Sequence, residues 1–282
     1  FYTIYDLIPI RHPEWFEGTN YWFEGNDYLE LFNFWFKSII QVSDGLLCIS
    51  KTVKDDVLCW LEENKNIIIR APKVEYFYLG ANIEASLPNK TPIKNSIIDS
   101  IKNKLTFLVV GTIEPRKGHK IILDTFNTLW TKNIDLNVVF VGKQGWKVDE
   151  LINNILENKQ YEKKLFWLNN VNDEYLENLY ENSTALLFLS TQEGFGLPLI
   201  EAANKKLPII ANDIPIFREV CENNAYYIDI DKDNVEEKML TWIALYNKNL
   251  HPLSTNFKTL SWNESAIQLI KSIEMILGYN LK

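Results

Sequence analysis

The chain is poor in the two residue types that most often build metal sites and disulfides. It has 282 residues, with three cysteines and three histidines. Cys48, Cys59 and Cys221 are odd in number and lack metal-ligand spacing, and no histidine pair has the H-x-x-x-H spacing of a zinc site. We therefore predict no metal site, and we expect the reduced, buried thiols of a cytosolic protein.

Long apolar runs and an excess of positive charge are also absent. Asp and Glu number 37 against 29 Lys and Arg, which gives a net charge of -8. Because nucleic-acid binding requires basic residues that neutralise phosphates, no nucleic-acid partner is expected, although a local basic site for a small anion is compatible with this balance. No apolar run reaches the roughly 18 residues of a membrane-spanning helix. The hydrophobic content of 46% is ordinary for a globular protein.

From residue 105 onward, short apolar runs alternate with amphipathic stretches. The apolar runs predict buried parallel strands at 105–110, 136–141, 165–168, 185–189, 208–211 and 225–228. The stretches between them predict helices at 120–130, 148–157, 173–181, 197–203 and 234–246. Strand and helix repeated with short connections predict a doubly wound parallel sheet.

The first 103 residues show a weaker form of the same alternation. Strands are predicted at 1–5, 45–49 and 74–79, and helices at 28–40 and from a cap at Ser50 to about Glu63. Residues 85–103 are rich in Pro, Asn, Ser and Lys and are predicted to be an interdomain linker. The predicted domains are a partial N-terminal domain with its linker at 1–103, a second domain at 104–250, and a final segment at 251–282. The helix of that segment, 262–277, is expected to pack back on the N-terminal domain. Because the chain opens with Phe1 in strand-like sequence, we expect upstream sequence to be missing from it.

Candidate binding residues follow the predicted strands, because ligands of an open parallel sheet bind outside the carboxyl ends of its strands. After the strand at 105–110 comes GTIEPRKGHK, in which Gly111 permits a tight turn and Arg116 and Lys117 supply two cations. Arg offers bidentate donors and Lys a mobile point charge, a pairing that suits a diphosphate. An isolated Arg-Lys pair is more often a solvated turn, but its place after a buried strand favours binding. Gly142 opens a second glycine-rich corner after the next strand.

Two glutamates flank another glycine-rich stretch, EGFGLPLIE. Glu193 is expected at the end of the fourth strand of this domain, and Glu201 about one turn inside a helix that begins near Leu197. Gly194 and Gly196 are expected to let backbone N–H groups approach an anion at the start of that helix. Carboxylates accept hydrogen bonds from sugar hydroxyls, whereas Arg, Lys and a helix N-terminus bind phosphates. The combination predicts a nucleotide-sugar ligand.

Together with GTIEPRK and GKQGW, this stretch resembles the retaining glycosyltransferases of family 4, which have the GT-B fold and an E-x7-E motif. The similarity extends to YDLIPIRHPEWF and PIIANDIPIFREV, so the resemblance covers the whole chain. It implies an α/β protein of GT-B type with two Rossmann-like domains built on parallel sheets, the N-terminal one truncated. The motifs are most similar to those of bacterial mannosyltransferases that build O-antigen or capsular glycans.

The resemblance also implies roles for individual residues. Arg116 and Lys117 would neutralise the donor diphosphate. Glu193 would contact hydroxyls of the transferred sugar and Glu201 the ribose. Asp6 is the candidate on the acceptor side, although many relatives have a histidine before this Asp and this chain has Tyr5. The positions implied in donor binding are Gly111, Thr112, Gly142, Asn170, Val171, Gly194, Phe195, Gly196, Leu197 and Glu201, with the loop at 169–172 meeting the base.

The implied reaction moves a sugar, with retention, from a GDP- or UDP-linked donor to a glycan or lipid-linked acceptor, without cofactor or metal. GDP-mannose is the favoured donor. The expected location is the cytoplasm; peripheral contact with the inner face of the membrane is left open, as are an oligomer and a partner chain that completes the N-terminal domain. The alternative is a non-catalytic nucleotide-sugar-binding or interaction protein, because a truncated acceptor half would leave a donor site without activity.

Overall fold

The computed structural model describes residues 1–18, 27–81 and 95–279. The chain forms two compact units. Unit 1 consists of Phe1–Ala81, Gln192–Gly196 and Leu260–Lys282, and unit 2 of Asn82–Thr191 and Leu197–Thr259. None of the described helices combines the length and apolarity needed to cross a bilayer.

Unit 1 contains a three-stranded parallel sheet in the order β1-β2-β3. Its strands are β1 (Tyr2–Ile4), β2 (Gly45–Cys48) and β3 (Lys73–Tyr76), and its helices are α1 (Ile8–Arg11), α2 (Tyr28–Val42), α3 (Lys51–Glu63) and α11 (Trp262–Leu277). The last helix contacts β3 through hydrogen bonds from Ser272 Oγ to Tyr76 O, 2.8 Å, and from Lys73 Nζ to Ile276 O, 2.5 Å. The predicted bounds of this helix, 262–277, are confirmed.

Unit 2 contains a six-stranded parallel sheet in the order β6-β5-β4-β7-β8-β9. The strands are β4 (Leu105–Val110), β5 (Leu136–Val141), β6 (Leu165–Leu168), β7 (Ala185–Phe188), β8 (Ile209–Asn212) and β9 (Tyr226–Ile228). The helices are α4 (Asn95–Ile101), α5 (His119–Thr131), α6 (Asp149–Leu156), α7 (Asp173–Asn182), α8 (Leu197–Asn204), α9 (Pro215–Cys221) and α10 (Val235–Asn247). Each strand and helix predicted in this region is present, with bounds that differ by at most one residue at either end.

Helices cover both faces of this sheet. Successive side chains of a strand point to opposite faces, so two neighbouring residues of β4 show what packs on each side. Phe107 packs in one buried cluster with side chains of α5, α6 and α10. Its neighbour Leu108 packs in a second cluster with side chains of α4, α7, α8 and α9. Both residues are fully buried. The predicted doubly wound sheet is therefore confirmed.

The segment predicted as a linker, 85–103, is corrected in part. Residues 85–94 lie outside the described residues, but α4 occupies Asn95–Ile101. Ile97, Ile98 and Ile101 pack against the second cluster, and Ile101 is fully buried. The polar composition of the segment led to the linker prediction, and the pattern of these three isoleucines was not considered. Their spacing places them on one face of a helix. The helix α9 was also not anticipated.

Candidate functional site

The strand order of unit 2 places a topological switch point between β4 and β7. Counted within the unit, the order β6-β5-β4-β7-β8-β9 is 3-2-1-4-5-6, the arrangement of a dinucleotide-binding Rossmann fold. The connections from β4 and β7 lead to helices on opposite faces of the sheet, and in folds of this class ligands bind outside the carboxyl ends of the two strands at such a point. The loops at this point hold Gly111 and Lys117 after β4, and Thr191 after β7.

Three loops are joined by backbone hydrogen bonds at this edge. The loop after β4 pairs with the loop after β5 through Ile113 N to Lys143 O and Gly145 N to Ile113 O, both 2.9 Å. The same loop meets the one after β7, where Thr191 N donates to Arg116 O at 2.8 Å. These bonds fix the backbone on both sides of the cation pair.

The two predicted cations lie in this fixed loop, within a 3-10 turn at Pro115–Lys117. Arg116 Nε lies 3.2 Å from Glu114 Oε2, and both side chains are largely buried. Lys117 Nζ lies 5.8 Å from the centre of the Phe188 ring, at the end of β7. A Cβ built on Gly111 would lie 3.9 Å from Lys117 Nζ. The Lys117 ammonium thus lies at the carboxyl ends of β4 and β7, where a ligand of this fold would bind.

His119 contributes no charge to the loop. The ring is 1% exposed, and it packs edge-on against Phe140 with ring centres 5.2 Å apart. Burial, and to a smaller extent the nearby charge of Lys117, lower the pKa of His119 to about 3. The imidazole is therefore neutral at physiological pH, and Arg116 and Lys117 supply the positive charge of the loop.

Glu201 lies in the second turn of α8, as predicted. The Tyr180 hydroxyl, from α7, donates a hydrogen bond to Glu201 Oε2 at 2.6 Å. Burial raises the pKa of Glu201, and the bond from Tyr180 acts in the opposite direction. A partly exposed carboxylate held in this way retains further acceptor sites on its two oxygens for a ligand.

The loop predicted to meet a base follows β6. Asn170 is exposed, while Val171 is half-buried and packs against the second cluster. The next residue, Asn172, caps α7 by accepting a hydrogen bond from Tyr175 N at 2.8 Å. The sheet edge thus presents the Asn170 side chain, while Asn172 is used by the fold.

The segment Gln192–Gly196 belongs to unit 1. A Cβ on Gly194 would lie 2.1 Å from Tyr5 O and 3.4 Å from Asp6 Cβ, so unit 1 brings Gly194 and Asp6 together. Ser50 Oγ donates to Gly194 O at 2.9 Å, and the Phe195 ring lies 6.0 Å from that of Tyr78. The segment is therefore packed against the ends of β1 and β3 and the start of α3.

One expectation about this segment is corrected. Glu193 does not lie at a strand end, because β7 ends at Phe188. The small size of Gly194 is required by the Tyr5 carbonyl, which leaves no space for a side chain. The expected helix start is confirmed, since α8 begins at Leu197. Asp6 Oδ1 accepts a hydrogen bond from Ile8 N at 3.0 Å and so supports the start of α1.

Ser50 offers a test of how the segment is held. Its hydroxyl caps α3 by accepting from Val53 N at 3.1 Å, and it also donates to Gly194 O. Ser50→Ala removes both bonds, and we expect it to lower the free energy of unfolding by about 1–2 kcal/mol. Ser261→Ala, which removes the cap of α11, is the control. Limited proteolysis should show faster cleavage near Gly194 in Ser50→Ala alone; equal cleavage in both variants would contradict the anchoring role.

Several residues of the site were missed in the sequence. Glu114 stands inside the GTIEPRK motif, where an acid two residues before an arginine is a detectable signal. Tyr180, Ser50 and Thr191 act across long sequence separations and had no local signal. Across the described ranges, no group of three or more His, Cys, Asp or Glu side chains is placed to hold a metal ion.

These features define the class of protein. Comparison with solved structures places the chain among α/β proteins of GT-B type with parallel sheets. Sucrose-phosphate synthase from Thermosynechococcus elongatus has a TM-score of 0.70 at 15% identity, covering 99% of this chain and 68% of that one. HepE from Anabaena, solved in complex with UDP and glucose, has a TM-score of 0.65 at 15% identity, covering 98% and 70%.

The chain belongs to the glycosyl transferases of group 1, whose family model matches residues 92–261. It is 40% identical to the serotype-specific mannosyltransferase WbdA of Escherichia coli, over 98% of this chain and 33% of that protein. It is 26% identical to the O-antigen chain mannosyltransferase RfbU of Salmonella typhimurium, over 82% of this chain and 57% of that protein. The chain thus spans about a third of the length of the WbdA proteins.

Proposed function

We propose that this chain transfers mannose from GDP-mannose, with retention of configuration, to a glycan or lipid-linked acceptor in surface polysaccharide synthesis, as a family 4 enzyme. The observation that carries the proposal is the fixed loop with Arg116 and Lys117 at the switch point of unit 2. Paired cations at such a point suit a diphosphate. Support for mannose comes from the 40% identity to a mannosyltransferase. The proposed location is the cytoplasm, with contact at the inner face of the membrane where the acceptor is lipid-linked.

The proposed chemistry needs no covalent nucleophile. The bond between the anomeric carbon and the diphosphate oxygen breaks, and the acceptor oxygen forms a bond to that carbon on the same face. The acceptor proton passes to the departing phosphate. Arg116 and Lys117 stabilise the charge that develops on the diphosphate and replace a metal ion in this role. Glu193 accepts hydrogen bonds from the transferred sugar and Glu201 from the ribose, with Asp6 on the acceptor side.

Thermal unfolding with GDP, UDP, GDP-mannose and UDP-glucose tests the donor. A ligand at 100 times its dissociation constant adds about 2.7 kcal/mol to the free energy of unfolding, which raises the melting temperature by several degrees. We expect a shift with the guanine nucleotides only. A shift with none of the four would contradict the proposal. Transfer of labelled mannose to a glycan acceptor then separates an enzyme from a protein that only binds the donor.

Glu201→Ala tests the assignment of that glutamate to the ribose. We expect affinity for GDP and GDP-mannose to fall by about the same factor, roughly tenfold, because each loses a hydrogen bond to a charged group. The ratio of affinities for GDP-mannose and GDP-glucose should stay unchanged. Glu181→Ala is the charge-matched control, since Glu181 is exposed near the end of α7 and pairs with Lys205, just after α8, at 3.0 Å. A changed sugar preference in Glu201→Ala would assign Glu201 to the sugar instead; isothermal titration measures both quantities.

A further inference from the structure

A buried tyrosine holds one of the proposed donor-binding carboxylates. Tyr180 is 1% exposed and packs in the second core cluster of unit 2. Its hydroxyl donates to Glu201 Oε2 at 2.6 Å, across 21 positions of sequence and between two helices. Because the ring is enclosed by core side chains, the hydroxyl has a fixed position, and it fixes in turn the oxygen that it contacts.

The packing alone does not require a tyrosine at this position. Phenylalanine has the same ring and would fill the same volume, whereas a buried hydroxyl is destabilising unless it is hydrogen-bonded. The bond to a carboxylate is of the charge-assisted kind, which is short and strong. Glu201 therefore provides the hydrogen-bond partner that the buried Tyr180 hydroxyl requires. In turn, the Tyr180 hydroxyl occupies one acceptor site of the Glu201 carboxylate in a defined direction.

The same bond favours the charged form of Glu201. Burial raises the pKa of Glu201, the Tyr180 bond lowers it, and the charge of Asp173, at the start of α7, raises it. A protonated carboxyl group would lose acceptor capacity. Removing the Tyr180 hydroxyl therefore acts twice, because it releases the orientation of the carboxylate and favours its neutral form.

We propose that Tyr180 is a positioning residue that orients the Glu201 carboxylate toward the two hydroxyls of the ribose in a bound nucleoside diphosphate. The inference rests on the proposed function, which places a nucleotide at this sheet edge. With one acceptor site on Oε2 occupied by Tyr180, the remaining sites on the two oxygens accept from the 2′- and 3′-hydroxyls. Tyr180 itself does not contact the ligand.

The test is the preference for GDP over 2′-deoxy-GDP, measured by titration calorimetry in the wild type, Tyr180→Phe and Tyr227→Phe. Tyr227 is the matched control, because its hydroxyl lies 2.7 Å from Glu222 O and 3.1 Å from Phe217 O in the same unit, and its single proton is directed at these carbonyls instead of at Glu201. We expect the wild type and Tyr227→Phe to prefer GDP about tenfold, and Tyr180→Phe to lose most of this preference.

The pH dependence provides a readout that a purely structural role would not change. The preference should disappear as pH falls through the pKa of Glu201, since the protonated group no longer accepts from both hydroxyls. The residual preference of Tyr180→Phe should disappear at a higher pH than in the wild type, because the contribution that lowers this pKa is gone.

Each outcome is decisive. A full preference for GDP in Tyr180→Phe, with an unchanged pH midpoint, would overturn the positioning role. A Tyr180→Phe protein that fails to fold while Tyr227→Phe folds would assign the hydroxyl to stability and would also overturn it. A wild type that binds UDP and prefers it over 2′-deoxy-UDP, but does not bind GDP, would refute the proposed donor and support the ribose contact. A wild type that binds neither GDP nor UDP would overturn the proposed function together with this inference.

Discussion

Lys117→Ala is expected to lower the affinity for GDP about a hundredfold while leaving the affinity for guanosine unchanged. The Lys117 ammonium lies over the Phe188 ring at the switch point of unit 2, where a diphosphate would bind. Hydrogen bonds to charged groups contribute about 1.5–3 kcal/mol, and each 1.4 kcal/mol is a factor of about ten in affinity. Guanosine carries no phosphate, so it makes no interaction with Lys117 that the substitution could remove.

Lys120→Ala is the charge-matched control for this experiment. Lys120 lies three positions further along, in α5, and forms an exposed pair with Asp124 at 2.9 Å. Its removal changes the net charge of the protein by the same amount but should alter neither affinity. Calorimetric titration of the wild type and of both variants with GDP and with guanosine measures these affinities. Equal losses for both ligands in Lys117→Ala would exclude this lysine from the phosphate site.

Gly142→Ala is expected to destabilise unit 2 strongly. Gly142 has a φ of +153°, and a Cβ there would lie 2.0 Å from Gly111 O and 2.5 Å from Gly111 C. The obstacle is backbone that the loops after β4 and β5 hold in place, so it cannot move aside as a flexible side chain would. We expect a loss of about 4 kcal/mol or more, which corresponds to roughly 10 °C in melting temperature.

Gly111→Ala separates the two causes of that effect. Gly111 has a similar φ of +144°, but a Cβ there would meet only the Lys117 side chain, at 3.9 Å. This variant carries the strain of the backbone conformation without the collision, so a smaller loss of about 1–3 kcal/mol is expected. Calorimetric melting curves of both variants make the comparison. If the two losses were equal, the collision would have no part in the result.

The sheet of unit 2 could be predicted from sequence because its strands are buried on both faces. Continuous apolar runs such as Leu105–Val110 and Leu136–Val141 mark such strands, and their predicted bounds match β4 and β5. The loops after these strands could then be predicted as binding loops, because the rule that ligands bind at the carboxyl ends of strands needs only the strand positions. Arg116 and Lys117 were predicted as binding residues because they lie in the loop after the first of these strands.

Contacts between distant parts of the sequence could not be predicted. The collision that excludes a side chain at Gly194 comes from Tyr5 O, and nothing near Gly194 indicates it. The apolar run that predicts this strand ends at Leu189 and β7 ends at Phe188, so loop residues separate Glu193 from the strand end at which it was predicted. The partner of Glu201 is likewise 21 positions away in α7. Such contacts depend on how helices pack, which local patterns do not encode.

The hydrogen bonds that join the loops of unit 2 have a consequence for how charge is stabilised. Arg116 O accepts from Thr191 N, and Arg116 Nε lies beside Glu114 Oε2, so this cation is held in place by the protein itself. A dipole or charge that is already oriented stabilises a developing anion without the reorganisation that water requires. It also reduces the entropy lost when a ligand binds. Folding therefore orients the charged group of this loop before any ligand binds. In the proposed transfer, the departing diphosphate would meet a cation that is already positioned to stabilise its charge.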